Sequence, residues 1–198
     1  MLKSKKVISI LLVAMILSIG CVSVFAEEFI GTNQILATTT EGDLLGEIEK
    51  LGLEVPEGIT PTEVGILKNT GLSYVIGSID DPSSQERGAR NVFRADSWSD
   101  NVTIYPCVEG VTGTKVRSFT TYPGTTARLS WLGFTTATSI NIGIKDEVSG
   151  WDDYIRGMGA NTYMGLSDAD PSHNYTWRAS LNGTTQADDI RFTNVAPY

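Results

Sequence analysis

Short strand-like segments separated by turn signals fill the chain from residue 92 to residue 195, and this pattern constrains the fold most. In residues 139–145 three isoleucines alternate with polar residues or glycine, and residues 175–181 alternate in the same way. Such alternation is typical of a strand with one buried face. Pro-Gly at 123–124, Ser-Gly at 149–150, Asp-Pro at 170–171 and Asn-Gly at 182–183 mark turns between the segments.

Regular spacing of this kind predicts a mainly β fold, an antiparallel β-sandwich that is jelly-roll-like or a barrel. The predicted strands are residues 92–98, 102–108, 116–122, 127–134, 139–145, 154–158, 162–166, 175–181 and 189–195.

The preceding part of the chain has a different character. Residues 27–88 carry three basic and twelve acidic side chains, a net charge of −9, whereas residues 89–198 carry nine and eleven, a net charge of −2. Helix signals predict one short helix capped by Thr40 and a second that begins at Thr60 and Pro61. A short strand is then predicted at residues 72–76. We therefore predict an acidic helical N-terminal segment at residues 27–88 and a β-sandwich domain at residues 89–198.

Residues 1–26 have the order of a secretory signal peptide. Three lysines precede an uncharged, mostly apolar run, and Ala26 offers a small residue at the cleavage point. This predicts a secreted, extracellular protein with a signal peptide of bacterial type. Two alternatives stay open: an uncleaved N-terminal anchor, and lipidation of Cys21 as in a bacterial lipoprotein.

Charge narrows the range of partners. Without the three lysines of the signal peptide the chain has 12 basic and 23 acidic side chains, a net charge of −11. Such a surface repels nucleic acid and anionic lipid headgroups. The predicted partners are an extracellular glycan or protein, with no nucleic acid. Membrane contact is expected only through the signal peptide or a lipid anchor at Cys21.

Residues that often carry catalysis are scarce. Cys107 is the only cysteine after cleavage, and its apolar, strand-like setting predicts a buried core residue. His173 is the only histidine and is expected in an exposed loop. No catalytic residue is predicted, and a non-enzymatic role is favoured. Paired carboxylates of the glycosidase type remain an alternative, because such pairs meet only in the folded protein.

The loop that contains His173 has oxygen-bearing side chains at alternating positions, namely Asp168, Asp170, Ser172 and Asn174. Hard oxygen ligands at this spacing can surround a calcium ion. The alternative is an ordinary Asx-type turn. Calcium is the one cofactor that the sequence suggests.

One tryptophan is predicted to be exposed. Trp151 follows a Ser-Gly turn and precedes two aspartates, whereas Trp131 and Trp177 alternate within strands and are expected in the core. We therefore predict a ligand-binding surface made of Trp151, Asp152, Tyr154 and Arg156, which combines aromatic stacking with hydrogen bonding.

These observations predict a secreted non-enzymatic protein that binds a surface ligand, a glycan or a protein, outside the cell. The alternative is a secreted precursor of an antibacterial or toxin-like β domain. In that alternative the acidic segment is a pro-region that is cut off between residues 86 and 90.

Overall fold

The computed structural model describes residues 33–79, 99–106, 113–120, 127–133, 139–182 and 184–193. Several sequence predictions lie outside these ranges: the signal peptide with Cys21, the strand at 92–98, Cys107, and the boundary near residues 80–88. The side chain of Trp131 also lies outside the description.

The described residues form eleven strands and one helix. In chain order these are β1 (Gln34–Thr38), α1 (Leu44–Lys50), β2 (Ile59–Ile66), β3 (Ser73–Ile79), β4 (Ser99–Ile104), β5 (Thr114–Thr120), β6 (Ala127–Gly133), β7 (Ser139–Asp146), β8 (Asp152–Met158), β9 (Thr162–Ser167), β10 (Asn174–Asn182) and β11 (Asp188–Thr193).

The strands form two antiparallel sheets. One has seven strands in the order β1-β2-β3-β9-β6-β11-β4, and the other has four in the order β5-β10-β7-β8. The prediction of a mainly β, antiparallel fold is therefore confirmed. The strand positions from β4 onwards also follow the predicted positions, because the period-2 pattern and the turn residues that bound it are local signals.

The larger hydrophobic cluster contains side chains from both sheets, and we call it the shared core. Trp177 of β10 belongs to it and is fully buried, as predicted, and so is Phe192 of β11. Ile140, Ile142 and Ile144 of β7 also point into it, so the isoleucine alternation predicted the buried face of this strand correctly.

A second hydrophobic cluster lies on the other face of the seven-stranded sheet, and we call it the helix cluster. Ile48 of α1 and Leu53, which follows the helix, pack there against Val64, Val75 and Tyr163. On β3, Tyr74 joins the shared core while Val75 joins the helix cluster. The central strands of this sheet are thus buried on both faces by the chain itself.

The helix predicted from Thr60 is wrong, because these residues form β2. The strand lies between β1 and β3 and is paired with both. Pro61 is tolerated there because the β2–β3 register shifts between Pro61 and Glu63, as proline in a sheet requires. Backbone pairing on two sides therefore outweighs the local Thr-Pro-Thr-Glu capping signal.

The first predicted helix is confirmed with a later start. Asp43, not Thr40, is the N-cap, and its carboxylate accepts a hydrogen bond from the Gly46 amide at 3.0 Å. Gly52 follows the helix with φ of +60°, the left-handed conformation that glycine adopts at helix ends. Within residues 33–79, the described part of the predicted helical segment, this is the only helix, and the other elements are β1, β2 and β3.

The N-terminal strands join the C-terminal ones directly. β3 pairs with β9 over six residue pairs, from Ser73 opposite Ser167 to Ser78 opposite Thr162. Because β3 also pairs with β2, it occupies an interior position of the seven-stranded sheet. β9 in turn pairs with β6.

Candidate functional site

The four-stranded sheet has a polar face on the side opposite the shared core. One row across it runs Ser118, Thr176, Lys145, Asp152, and the next runs Lys115, Arg178, Gly143, Tyr154. Neither hydrophobic cluster of the described residues includes a side chain from these rows. We call this surface the polar face.

Glu147 organises the charges of the polar face. Its carboxylate lies 2.9 Å from the Lys145 ammonium and 3.7 Å from the Arg178 guanidinium. The hydrogen bond from Lys145, a second from Thr176 and the two cations lower the pKa of Glu147, although partial burial opposes them. The carboxylate is therefore ionised at neutral pH and already shares its charge with two cations.

The turn between β7 and β8 is held by one buried carboxylate. Asp146 accepts hydrogen bonds from the Val148 amide at 2.9 Å and from the Ser149 hydroxyl at 2.7 Å. Nδ1 of His173 lies 2.7 Å from the same carboxylate. Burial alone would raise the pKa of Asp146, but these hydrogen bonds outweigh it, and the pKa is lowered.

The structure corrects the expectation that His173 is an exposed loop residue. Its side chain is 27% exposed and contacts Asp146. Tyr175, two residues on, pairs with Asp146 across β10 and β7, so the start of β10 carries His173 to the end of β7. A pairing between distant strands cannot be read from the loop sequence.

The turn presents two apolar side chains to solvent. Val148 is 58% exposed and Trp151 is 60% exposed, which confirms the predicted exposure of this tryptophan. Gly150 has φ of +80°, a conformation that the turn requires and that favours glycine. The backbone amide of Trp151 also donates to the Ser149 hydroxyl at 3.3 Å. The exposed indole is therefore carried by a well-bonded turn.

The other predicted ligand-binding residues follow on β8. Asp152 and Tyr154 are half-buried, and Arg156 is exposed. Alternation along the strand places all three on the polar face. Trp151 is the residue immediately before the strand. The predicted set is thus contiguous along one edge of the polar face. Its role in binding stays a prediction.

The edge of β8 is closed by side chains that the sequence analysis missed. The side-chain amide of Asn33 donates to the Tyr154 carbonyl at 3.1 Å, and that of Asn69 donates to the Asp152 carbonyl at 2.9 Å. Side chains that occupy the free carbonyls of an edge strand prevent pairing with another chain.

The burial of Asp153 was not predicted from the sequence. This residue is 4% exposed, and its carboxylate accepts from the Asn69 amide, the Thr70 amide and the Thr70 hydroxyl, the last two at 2.7 Å. These donors lie in the turn between β2 and β3. Asp153 therefore links the four-stranded sheet to the N-terminal strands, and only the tertiary structure reveals the link.

The predicted calcium ligands have other partners. The Ser73 hydroxyl donates to Asp168 at 2.5 Å, and the Ser172 amide donates to Asp170 at 2.8 Å, the bond that defines an Asx turn. The backbone carbonyl of Asn174 accepts a hydrogen bond from the backbone amide of Glu147. Among the residues that the structure describes, no three His, Cys, Asp or Glu side chains form a group that could hold a metal ion. Calcium binding by Asp168, Asp170, Ser172 and Asn174 stays a prediction.

A cavity of about 480 Å³ lies at the end of β5 and the start of β10, beside the β7–β8 turn. It is lined by Ser118, Phe119, Thr120, Glu147 and Asn174. Sequence reasoning did not find it, because its walls come from three separated segments.

No protein-family model, curated protein or solved structure matches this chain. Within the described ranges, no helix has both the length and the apolar character needed to cross a membrane.

Proposed function

We propose that this chain is a non-enzymatic binding protein that acts outside the cell and recognises a surface ligand through the β7–β8 turn and the adjoining edge of the polar face. The observation that carries the proposal is Trp151, which is 60% exposed on a turn that Asp146 fixes. A rigid, exposed tryptophan supplies a large contact area at little cost in conformational entropy.

The residues beside Trp151 suit a ligand with both apolar and polar parts. The Asp152 carboxylate and the Arg156 guanidinium lie on the polar face of β8, and Tyr154 lies between them. We propose that the indole stacks on the ligand while these groups form hydrogen bonds, as in sites that bind sugar rings. The proposal includes a sandwich arrangement of the two sheets, which their shared core supports.

The alternative, a precursor that releases a toxin-like β domain, has less support. Removal of residues 27–88 would take away β1, β2, β3 and α1, leave β9 without the strand that pairs with it on that side, and uncover the apolar side chain of Tyr163. It would also remove the donors that bind the buried Asp153. A cut between residues 86 and 90 would therefore leave the two pieces associated rather than release one of them.

The test compares two exposed aromatic residues. Trp151→Ala and Tyr105→Ala each remove a ring that is 60% exposed. Tyr105 follows β4, and its backbone carbonyl accepts from the Leu181 amide near the end of β10, whereas the β7–β8 turn lies at the start of β10. Cosedimentation with washed cell-wall polysaccharide should weaken about tenfold or more for Trp151→Ala. Tyr105→Ala should bind as the unchanged chain does. Equal binding by both variants would show that the surface is misassigned.

A further inference from the structure

The cavity beside the β7–β8 turn has the size and the walls of a small-ligand site. Its volume of about 480 Å³ falls within the range of roughly 300 to 1,000 Å³ found for small-molecule sites. Its lining combines two hydroxyls, an amide and a carboxylate with one aromatic residue, Phe119.

The hydrogen bonds at the cavity indicate which hydroxyl donates and which accepts. Thr176 is 1% exposed, donates to the ionised Glu147, and lies 3.0 Å from the Ser118 hydroxyl. A hydroxyl has one proton to donate, so Ser118 is the donor in the bond to Thr176. The Ser118 oxygen, which lines the cavity, is thereby left to accept a hydrogen bond from a ligand.

Charge selects among ligand classes. Glu147 is the charged side chain of the cavity lining, and its contacts with Lys145 and Arg178 already balance its negative charge, so an ionic ligand gains little from it. A cationic ligand would have to compete with those two side chains. A neutral ligand that donates hydrogen bonds fits the Glu147 carboxylate and the Ser118 oxygen without that competition.

The apolar part of the lining is small, because Phe119 is 7% exposed and belongs to the shared core. The Phe119 ring lies 5.7 Å from the rings of both Tyr175 and Trp177, and it is nearly stacked on Tyr175. Asn174, at the start of β10, adds an amide that can both donate and accept. Converging polar groups beside a small apolar area suit a small ligand that is rich in hydroxyl groups.

We propose that this cavity binds a neutral, polyhydroxylated ligand, a sugar unit whose hydroxyl groups donate to Glu147 and Ser118. This inference rests on the proposed binding function and names the ligand class. The sugar unit in the cavity and the contact at Trp151 are two parts of one binding surface, because Glu147 and Trp151 lie at the two ends of the same turn.

The test is a titration of the ¹⁵N-labelled full chain with cellotriose, maltotriose and N,N′,N″-triacetylchitotriose, three neutral sugars, each followed in amide correlation spectra. At least one of them should produce saturable shifts at residues 118–120, 147 and 174. Glu147→Gln keeps the shape but removes the charge, and should weaken this binding about tenfold, since charged acceptors form the stronger hydrogen bonds. Glu57→Gln, at an exposed position, is the matched control and should bind normally.

Ser118→Ala provides a second variant, which removes a single hydroxyl and should weaken binding about threefold to tenfold. The cavity assignment is overturned if none of the three sugars shifts these resonances at up to about 10 mM, which would saturate a site with a Kd near 1 mM. It is also overturned if Glu147→Gln binds as tightly as Glu57→Gln.

The outcomes separate this inference from the proposed function. Free trisaccharide that binds in the cavity while Trp151→Ala leaves polysaccharide binding intact would retain the cavity and refute the tryptophan surface. Polysaccharide binding that depends on Trp151 but not on Glu147 would refute the cavity alone.

Discussion

The two sheets differ in what lies on the face turned away from the shared core. On the seven-stranded sheet, α1 and the residues after it cover that face with an apolar cluster around Ile48, Val64 and Val75. On the four-stranded sheet the same side carries Lys145, Arg178 and other polar groups. The chain thus covers one outer surface with its own apolar residues and leaves the other polar, and it is on the polar surface that we place the proposed binding site.

The largest expected effect comes from the covered face. Ile48→Ala should lower the free energy of unfolding by about 2–5 kcal/mol, because Ile48 is 5% exposed and truncation leaves a cavity under α1. Denaturant titration would measure this as a shift in midpoint at constant m-value. Leu45→Ala, on the same helix at 69% exposure, should change stability by no more than about 0.5 kcal/mol. Equal effects would mean that α1 does not cover the sheet.

The next effect tests the link between the two sheets. Asp153→Ala removes the acceptor of three donors, and at about 1 kcal/mol each the expected loss is about 3 kcal/mol. Amide hydrogen exchange at Asn69 and Thr70 should accelerate. Asp152→Ala is the control, because the Asn69 side chain bonds to the backbone carbonyl at residue 152, which the variant retains. Unchanged exchange in Asp153→Ala would argue against the link.

A smaller effect is expected on the polar face. A Cβ at Gly143 would overlap the ring of Tyr154, so Gly143→Ala should cost about 2 kcal/mol through displacement of that ring. Gly159→Ala places its Cβ in open space and should be close to neutral. Thermal unfolding of the two variants compares them directly. A neutral Gly143→Ala would show that Tyr154 does not rest on β7.

The β7–β8 turn should make stability depend on acid. Asp146 has a lowered pKa in the folded protein, so its contribution is present above its ordinary value of 3.8 and is lost as the pH falls through the folded value. Asp146→Asn should therefore lose less stability than the unchanged chain between about pH 5 and pH 3. Parallel curves of unfolding free energy against pH would contradict this account of the turn.

The smallest expected effect on stability is that of Trp151→Ala. Because the indole is 60% exposed, the free energy of unfolding should change by no more than about 0.5 kcal/mol. Ligand binding should nevertheless fall. A large loss of stability would instead show that Trp151 stabilises the fold, as the residues of the helix cluster do, and does not serve as a free binding surface.

How much the sequence predicted depends on whether the signal was local. The alternation in β7 and β10 predicted both the strands and their buried faces, and the Ser-Gly turn predicted the exposure of Trp151. The helix predicted from Thr60 and Pro61 was wrong, because the pairing of β2 with a strand on each side outweighs the local capping signal. The contacts of Asp146 with His173 and of Asp153 with Thr70 span distant segments, so no local pattern contains them.

The central claim is that the β7–β8 turn and the polar face form the binding surface. Hydrogen–deuterium exchange of the full chain, with and without washed cell-wall polysaccharide, tests it most directly. The account predicts protection of amides from Glu147 to Arg156, with α1 unchanged. Protection confined to α1 and β1, or no protection anywhere, would contradict it.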